Sequence, residues 1–195
     1  MKQSSLIALL FSLNIYLGKA QDGEELPYRV IPEAPANYSE GAVVARMVDG
    51  LGFRYYWATE GLRAEDLSFR PSSEARTTEE TLDHILGLSQ VILNSALHRS
   101  NSGNPTDGLS YLDKRKQTLI NLKKAADIFR TCDDLSVFTV VFERDNRNTS
   151  FPFWNQINGP ISDAIWHCGQ VVSFRRSSGN PFNPKVSVFM GNLRE

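Results

Sequence analysis

Apolar residues recur at helical spacing through most of the chain, and this period restricts the fold more than any other feature of the sequence. A capping box at Thr77 and Glu80 opens the clearest helix, which runs to about Leu97. Its inward stripe consists of Leu82, Ile85, Leu86, Ser89, Ile92, Leu93 and Ala96. Leu88 and Val91 form a second apolar face, so we expect this helix to be buried on two sides.

Three other segments have the same period. One runs from about residue 38 to 59, another runs from about 109 to 131, and a fourth helix opens at Asn158-Gly159-Pro160. Residues 137–142 have strand composition, and residues 185–190 alternate as a short strand does. The sequence therefore predicts an all-α fold: a four-helix bundle with short extended segments after the third helix and at the C-terminus.

The first twenty residues have the features of a secretory signal peptide. Lys2 gives a positive start, an apolar run follows over residues 6–17, and Gly18 and Ala20 supply the small residues of a cleavage site. The run is shorter than the ~20 apolar residues that a membrane-spanning helix needs. We expect cleavage after Ala20, and a retained membrane anchor is the alternative.

After cleavage we expect an extended lead-in over residues 21–37 and one domain over residues 38–195. The formal net charge of −1 and the lack of a basic stripe argue against a nucleic-acid partner. The mature protein is expected to be exported, periplasmic or secreted, without stable membrane insertion. A small-molecule substrate and a homodimer both stay open.

Three side chains of ligand type carry the chemistry that the sequence suggests. Asp163 and His167 are four residues apart on the fourth helix, so both lie on one face. His84 lies in line with Leu88 and Val91, and it becomes a third ligand if that face meets the fourth helix. Two histidines and one carboxylate suit zinc or non-haem iron(II), and three protein ligands leave coordination positions open. The alternative is a histidine that is hydrogen-bonded to an aspartate in a packed core.

Several stretches, in this order and spacing, resemble the DinB-like superfamily over most of residues 38–191. The earlier stretches are Tyr55–Leu62, Leu67–Pro71 and Leu82-Asp83-His84-Ile85. The later stretches are Phe153–Gln156, Gly159–Gln170, which ends in His167-Cys168-Gly169-Gln170, and Phe174–Pro181.

This resemblance implies a four-helix bundle with a metal-binding triad. In that family one histidine comes from the second helix and two come from an H-x-x-x-H pair on the last. His84 and His167 match the pattern, and Asp163 stands where the family commonly has histidine. The implied site is His84, Asp163 and His167 with divalent zinc, nickel or iron. The implied activity is that of a metal-dependent enzyme, a hydrolase or a thiol S-transferase, and the alternative is a non-catalytic exported bundle.

Three further residues, Cys132, Cys168 and Gln170, each have more than one interpretation. Cys132 and Cys168 either pair after export or are two small buried residues, and Cys168 could also serve as a thiolate ligand or nucleophile. Gln170 either bonds a metal-bound water or makes a helix–helix hydrogen bond.

Composition alone leads to two more expectations. Core positions are predicted for the tryptophans, Trp57, Trp154 and Trp166. A solvated face is predicted for the basic residues of the third helix, Lys114, Arg115, Lys116, Lys123, Lys124 and Arg130.

Overall fold

The computed structural model describes residues 25–103, 108–144 and 147–195. The predicted signal peptide, its cleavage site and the first four residues of the predicted lead-in lie outside the described residues. Over the part of the chain that is described, no helix is long and apolar enough to cross a membrane.

The protein is mostly helical and carries a small sheet, so the predicted all-α class holds only roughly. Its helices are α1 (Glu40–Thr59), α2 (Ala64–Ser68), α3 (Thr78–Ala96), α4 (Tyr111–Arg130), α5 (Phe153–Gln156) and α6 (Ser162–Ser177). Helices α1, α3 and α4 correspond to the three helices predicted before residue 131, with ends within about two residues.

Side chains at the helix starts explain where these helices begin. The capping box predicted at α3 is present: Glu80 N donates to Thr77 Oγ1 at 3.1 Å, and Thr77 N donates to Glu80 Oε2 at 2.7 Å. Ser39 accepts from the first turn of α1, and Ser110 accepts from the first turn of α4. Each cap satisfies an amide that has no partner inside the helix.

The long helices pack in a closed cycle, in which α1 and α3 each contact both α4 and α6. Gly41 permits a close approach between α1 and the end of α4, because a Cβ there would overlap the carbonyl oxygens of Phe129 and Cys132. The largest fully buried side chains between the helices include Tyr55, Phe129, Leu82, Ile85, Leu119 and Leu122.

A three-stranded sheet lies beside the end of α3. It is built from β1 (Ser100–Asn101), β2 (Val140–Arg144) and β3 (Arg147–Phe151), in that order. Strand β1 runs parallel to β2, and β2 runs antiparallel to β3. The sequence predicted an extended segment here but placed its start three residues before β2, and it did not predict β1. At the C-terminus, β4 (Val186–Ser187) pairs with β5 (Asn192–Leu193).

The fourth long helix starts earlier than predicted. Its first residue is Phe153 in α5, and the chain passes through a π-helical segment, Ile157–Ile161, into α6. Pro160 lies inside this segment and not in a first turn. The wider π-helical turn relaxes the i→i−4 pattern, so a proline without an N–H is accommodated there. The hydroxyl of Ser162 donates to the Ile157 carbonyl at 2.6 Å across the turn.

The described part of the lead-in is anchored across α1. Tyr28 is only 4% exposed, its ring lies against Gly52, and its hydroxyl donates to Asp49 Oδ1 at 3.2 Å. Ile31 N donates to the Gly191 carbonyl at 2.8 Å, which ties the lead-in to the C-terminal tail. This segment therefore covers one face of the helical core.

Candidate metal centre

The structure brings His84, Asp163 and His167 together between α3 and α6. His84 Nε2 lies 3.0 Å from Asp163 Oδ2, and His167 Nε2 lies 3.3 Å from Asp163 Oδ1. One ligand atom from each of the three residues falls within 4.8 Å of the others. The two imidazole rings are 4.7 Å apart at their centroids and nearly perpendicular. A single divalent ion could be held by this group.

The local fold explains why these side chains meet. Asp163 and His167 are one turn apart on α6, and α6 packs against α3, which carries His84. The π-helical segment ends directly before α6, so its extra residue sets the rotation of the helix that carries both ligands. Such π-helical insertions are frequent at functional sites.

Gln170 determines how His167 presents its second nitrogen. His167 Nδ1 lies 2.7 Å from Gln170 Oε1, and an amide oxygen only accepts, so this contact assigns a hydrogen to Nδ1. In the neutral ring with that hydrogen, Nε2 would carry the lone pair and would face the Asp163 carboxylate, which is also an acceptor. Two acceptors at 3.3 Å need a cation between them, either a proton or a metal ion. The hydrogen bond of Gln170 lies within α6, which differs from the helix–helix bond that the sequence suggested.

The group is partly open to solvent. The side chains of His84 and Asp163 are about one-third exposed, at 33% and 34%, and His167 is 13% exposed. An ion held by these three residues would have coordination positions facing solvent, which is the pattern of catalytic sites and not of closed structural ones.

A buried lysine supports the α3 side of the site. Lys114 Nζ lies 2.7 Å from Asp83 Oδ1, next to His84 in the chain, and 3.4 Å from Glu79. Burial works against the charged form, yet the hydrogen bond to Asp83 and the nearby carboxylates raise the pKa of Lys114.

The solvated-face prediction for α4 is wrong for Lys114 and Arg115. Both are buried: Lys114 makes the ion pairs described above, and Arg115 pairs with Glu60 and donates to Thr59 Oγ1 at 2.9 Å. Their charge led to the wrong prediction, because their long side chains reach carboxylates on α3 and at the end of α1.

The two cysteines are not paired. Cys168 is 2% exposed and does not belong to the ligand group of His84, Asp163 and His167, and burial raises the pKa of its thiol to about 12, which disfavours a free thiolate nucleophile. Cys132 is half-buried, and its Sγ lies 3.2 Å from the Asp134 carbonyl. The interpretation as small core residues therefore holds for Cys168 and only partly for Cys132.

The core prediction for the tryptophans holds only for Trp57. Trp57 is 7% exposed, whereas Trp154 and Trp166 are 73% and 70% exposed. The Trp166 ring lies nearly parallel to the neighbouring His167 ring, with centroids 6.4 Å apart. A helix packed on one side leaves outward positions that composition alone does not identify.

A cavity of about 1080 Å³ opens beside the triad, and the sequence did not reveal it. It lies between α3, the β1–β2 edge and the start of α6, and His84 and Asp163 are part of its wall. Leu88 and Val91 line it and are therefore only half-buried, which corrects the expectation of a helix buried on two sides.

No protein-family model matches the chain, and neither does any curated protein or solved structure. The DinB-like resemblance stays a prediction that depends on the residues quoted for it. The proximity of His84, Asp163 and His167 in the folded protein does not depend on that resemblance.

Proposed function

We propose that His84, Asp163 and His167 bind one divalent metal ion, and that the protein is a metal-dependent enzyme of DinB-like type. The observation that carries the proposal is the convergence of one ligand atom from each residue within 4.8 Å, with His167 Nε2 and Asp163 Oδ1 facing each other at 3.3 Å. A metal ion between them satisfies both, and His84 adds a third donor within reach. Zinc, nickel and iron(II) all accept this donor set.

The packing of the helices is consistent with a four-helix bundle of that family. The cycle in which α1 and α3 both pack on α4 and α6 supports this architecture. Ligands from facing helices of a bundle converge in its interior, as His84 on α3 and Asp163 and His167 on α6 do here.

The residues of this chain have separate tasks in the proposed enzyme. Gln170 holds the Nδ1 proton of His167 and thereby aims Nε2 at the centre. Lys114 fixes Asp83, the neighbour of His84 on α3, through their ion pair. A bound divalent ion would lower the pKa of water or of a thiol, which is the chemistry of a hydrolase or of a thiol S-transferase.

A non-catalytic protein is the second candidate function. The observation in its favour is that Asp163 is within 3.0 Å of His84 and 3.3 Å of His167, so an imidazolium would satisfy the cluster without an ion. Such a cluster would join α3 to α6 as a polar contact of the bundle.

Measurement of the metal content tests whether an ion binds. We expect elemental analysis of protein purified without a metal-chelating tag to give close to one divalent ion per chain. His84→Ala, Asp163→Ala and His167→Ala should each lower this content sharply, because two ligands hold an ion poorly. His98→Asn is the matched control, since His98 is exposed and asparagine tolerates its positive φ of 54°. Equal metal content in all four variants would contradict the proposal.

Cobalt(II) substitution separates an enzyme from a structural site. We expect added azide or 2-mercaptoethanol to change the visible absorption, because the partly exposed triad leaves coordination positions for them. A spectrum that neither ligand alters would indicate a closed site and favour the non-catalytic alternative.

A further inference from the structure

Two glycines in the wall of the cavity beside the triad leave space open next to them. A Cβ at Gly87, in the middle of α3, would have no heavy atom within 4 Å, and the same is true of Gly159 in the π-helical segment. Both glycines line the cavity. Glycine in a helix costs about 0.5–1 kcal/mol relative to alanine, and no contact of Gly87 offsets that cost. Gly87 therefore leaves space open at this part of the cavity wall.

The wall offers an organic ligand both apolar surface and hydrogen-bonding groups. Leu88 and Val91 of α3 and Phe142 of β2 supply the apolar part. The wall includes His84 and Asp163 of the triad, so a ligand in the cavity would reach the proposed ion. Sites of this volume and mixed lining are typical for small molecules.

Most of the charges that the described residues place around the cavity have partners within the protein. The carboxylates in its wall are Glu80, Asp83, Glu143 and Asp163. Lys114 pairs with Asp83 at 2.7 Å, Arg70 pairs with Glu80 at 3.6 Å, and Arg144 lies in the wall itself. Asp163 faces the two imidazoles of the triad. Because these charges already have partners, the wall offsets little of the desolvation free energy of a charged ligand. It therefore favours an uncharged ligand.

A chain of side-chain amides holds the far wall in place. Gln90 Nε2 donates to Asn94 Oδ1, Asn94 Nδ2 donates to Asn101 Oδ1, and Asn101 Nδ2 donates to the Val141 carbonyl, each at 2.9 Å. These bonds fasten β1 and β2 to α3. The cavity is consequently preorganised, which lowers the entropic cost of binding.

We propose that this cavity binds an uncharged organic molecule with an apolar body, as the substrate of the metal centre, and that Gly87 sets the space available to it. The identification of this molecule as the substrate rests on the proposed function. Binding of the molecule to the cavity does not rest on the proposed function, because side chains of the protein form the wall without a metal ion.

The test uses metal-free protein and three probes of one size: 2-phenylacetamide, phenethylammonium and phenylacetate. Amide shifts in ¹H–¹⁵N NMR spectra report where each probe binds and how tightly. We expect 2-phenylacetamide to shift residues of α3 and the β1–β2 edge, and the two ions to bind about tenfold more weakly. Gly87→Leu should weaken binding of 2-phenylacetamide by at least about tenfold, because the new side chain occupies the cavity.

Two further variants make the result specific. Gly169→Leu makes the same change at an open position on α6 that is not among the residues lining the cavity, so it should leave probe binding unchanged. His167 is likewise not among the lining residues, so His167→Ala should lose metal and keep probe binding. If His167→Ala kept the metal content of the parent while both proteins bound 2-phenylacetamide, the metal proposal would fail and this one would stand. If His167→Ala lost metal and neither protein bound the probe, this proposal alone would fail.

Three outcomes would overturn the inference. Gly87→Leu could bind 2-phenylacetamide as the parent does, the charged probes could bind as tightly as the amide, or no probe could give saturable shifts at the cavity. Circular dichroism of Gly87→Leu and of Gly169→Leu would establish that both fold, so a loss of binding reports on the cavity.

Discussion

Two glycines on different helices of this protein, Gly52 and Gly87, differ in what lies against them. On α1, Gly52 is covered by the ring of Tyr28, so closely that a Cβ would overlap three ring atoms. On α3, Gly87 faces a cavity, and a Cβ would meet nothing within 4 Å. The first glycine makes room for another part of the chain, whereas the second leaves open space at the wall of the cavity.

The polar groups of the two regions differ in the same way. Asp49, below Tyr28, is fully buried and accepts from the Tyr28 hydroxyl and from Arg130 at 2.9 Å. Asp163, beside the cavity, is one-third exposed and lies 3.0 Å from His84 Nε2 and 3.3 Å from His167 Nε2. The carboxylate under Tyr28 is thus enclosed by its partners, whereas the carboxylate beside the cavity stays open to solvent.

The largest expected effect is on the face of α1 at Gly52, which the ring of Tyr28 covers. Tyr28→Ala should lower the free energy of unfolding by about 3–5 kcal/mol, because a fully packed aromatic ring is lost and Asp49 loses a donor. Chemical denaturation followed by circular dichroism measures this loss. A change below about 1 kcal/mol would show that the lead-in contributes little, and the comparison would fail on this side.

A double-mutant cycle tests the role of Gly52 directly. Gly52→Ala alone should cost about 1–3 kcal/mol, because the added methyl group displaces the Tyr28 ring. In the Tyr28→Ala background the same change should cost nothing or stabilise slightly, since the ring is absent and alanine favours the helix. Equal costs in the two backgrounds would mean that the ring is not the reason for the glycine.

The next prediction concerns Asp66, a buried carboxylate that makes the free energy of unfolding depend on pH. Asp66 of α2 is fully buried and accepts from Arg63, Ser178 and Asn180, and these hydrogen bonds, with that from Arg63 foremost, hold its pKa well below the usual range. A depressed pKa contributes stability that is fully present above the unfolded pKa of about 3.9 and is lost as the pH falls toward the folded value. The parent should therefore lose stability steeply below pH 4.

Asp66→Asn is the variant that tests this pH dependence. It should cost about 1–2 kcal/mol at pH 7, because the amide replaces one acceptor oxygen with a donor. Between pH 5 and pH 2, its free energy of unfolding should change less than that of the parent. Parallel curves for parent and variant, measured by urea denaturation at each pH, would show that Asp66 does not carry the effect.

The features that could be predicted from the sequence are those that the local residue pattern determines. Helix α3 follows from its apolar period and from the cap at Thr77, and both are confirmed. The proximity of His84 to Asp163 follows from their positions on faces that meet. The start of α5 was missed because Pro160 is typical of a first helical turn, and only the π-helical segment shows how the helix accommodates it.

Features that depend on the relative rotation of helices were not predictable. Lys114 has the pattern of a solvated residue, and its burial depends on a carboxylate of α3 lying 2.7 Å away. The cavity depends on where β1 and β2 cross the end of α3, and β1 is only two residues long. The open space at Gly87 cannot be told from the packed space at Gly52 without the neighbouring elements.

The smallest expected effect has the opposite sign and completes the comparison. Gly87→Ala should raise the free energy of unfolding by about 0.5–1 kcal/mol, because alanine restricts the unfolded chain and its methyl group enters open space. Thermal and urea denaturation of Gly87→Ala and Gly52→Ala, measured side by side, would then show one substitution with two signs. If Gly87→Ala destabilised the protein as Gly52→Ala does, the space beside α3 would be filled in solution, and the contrast between the covered and the open face would be lost. A gain in stability would mean that this chain carries a glycine that its fold does not need, which is the expected cost of keeping a binding cavity open.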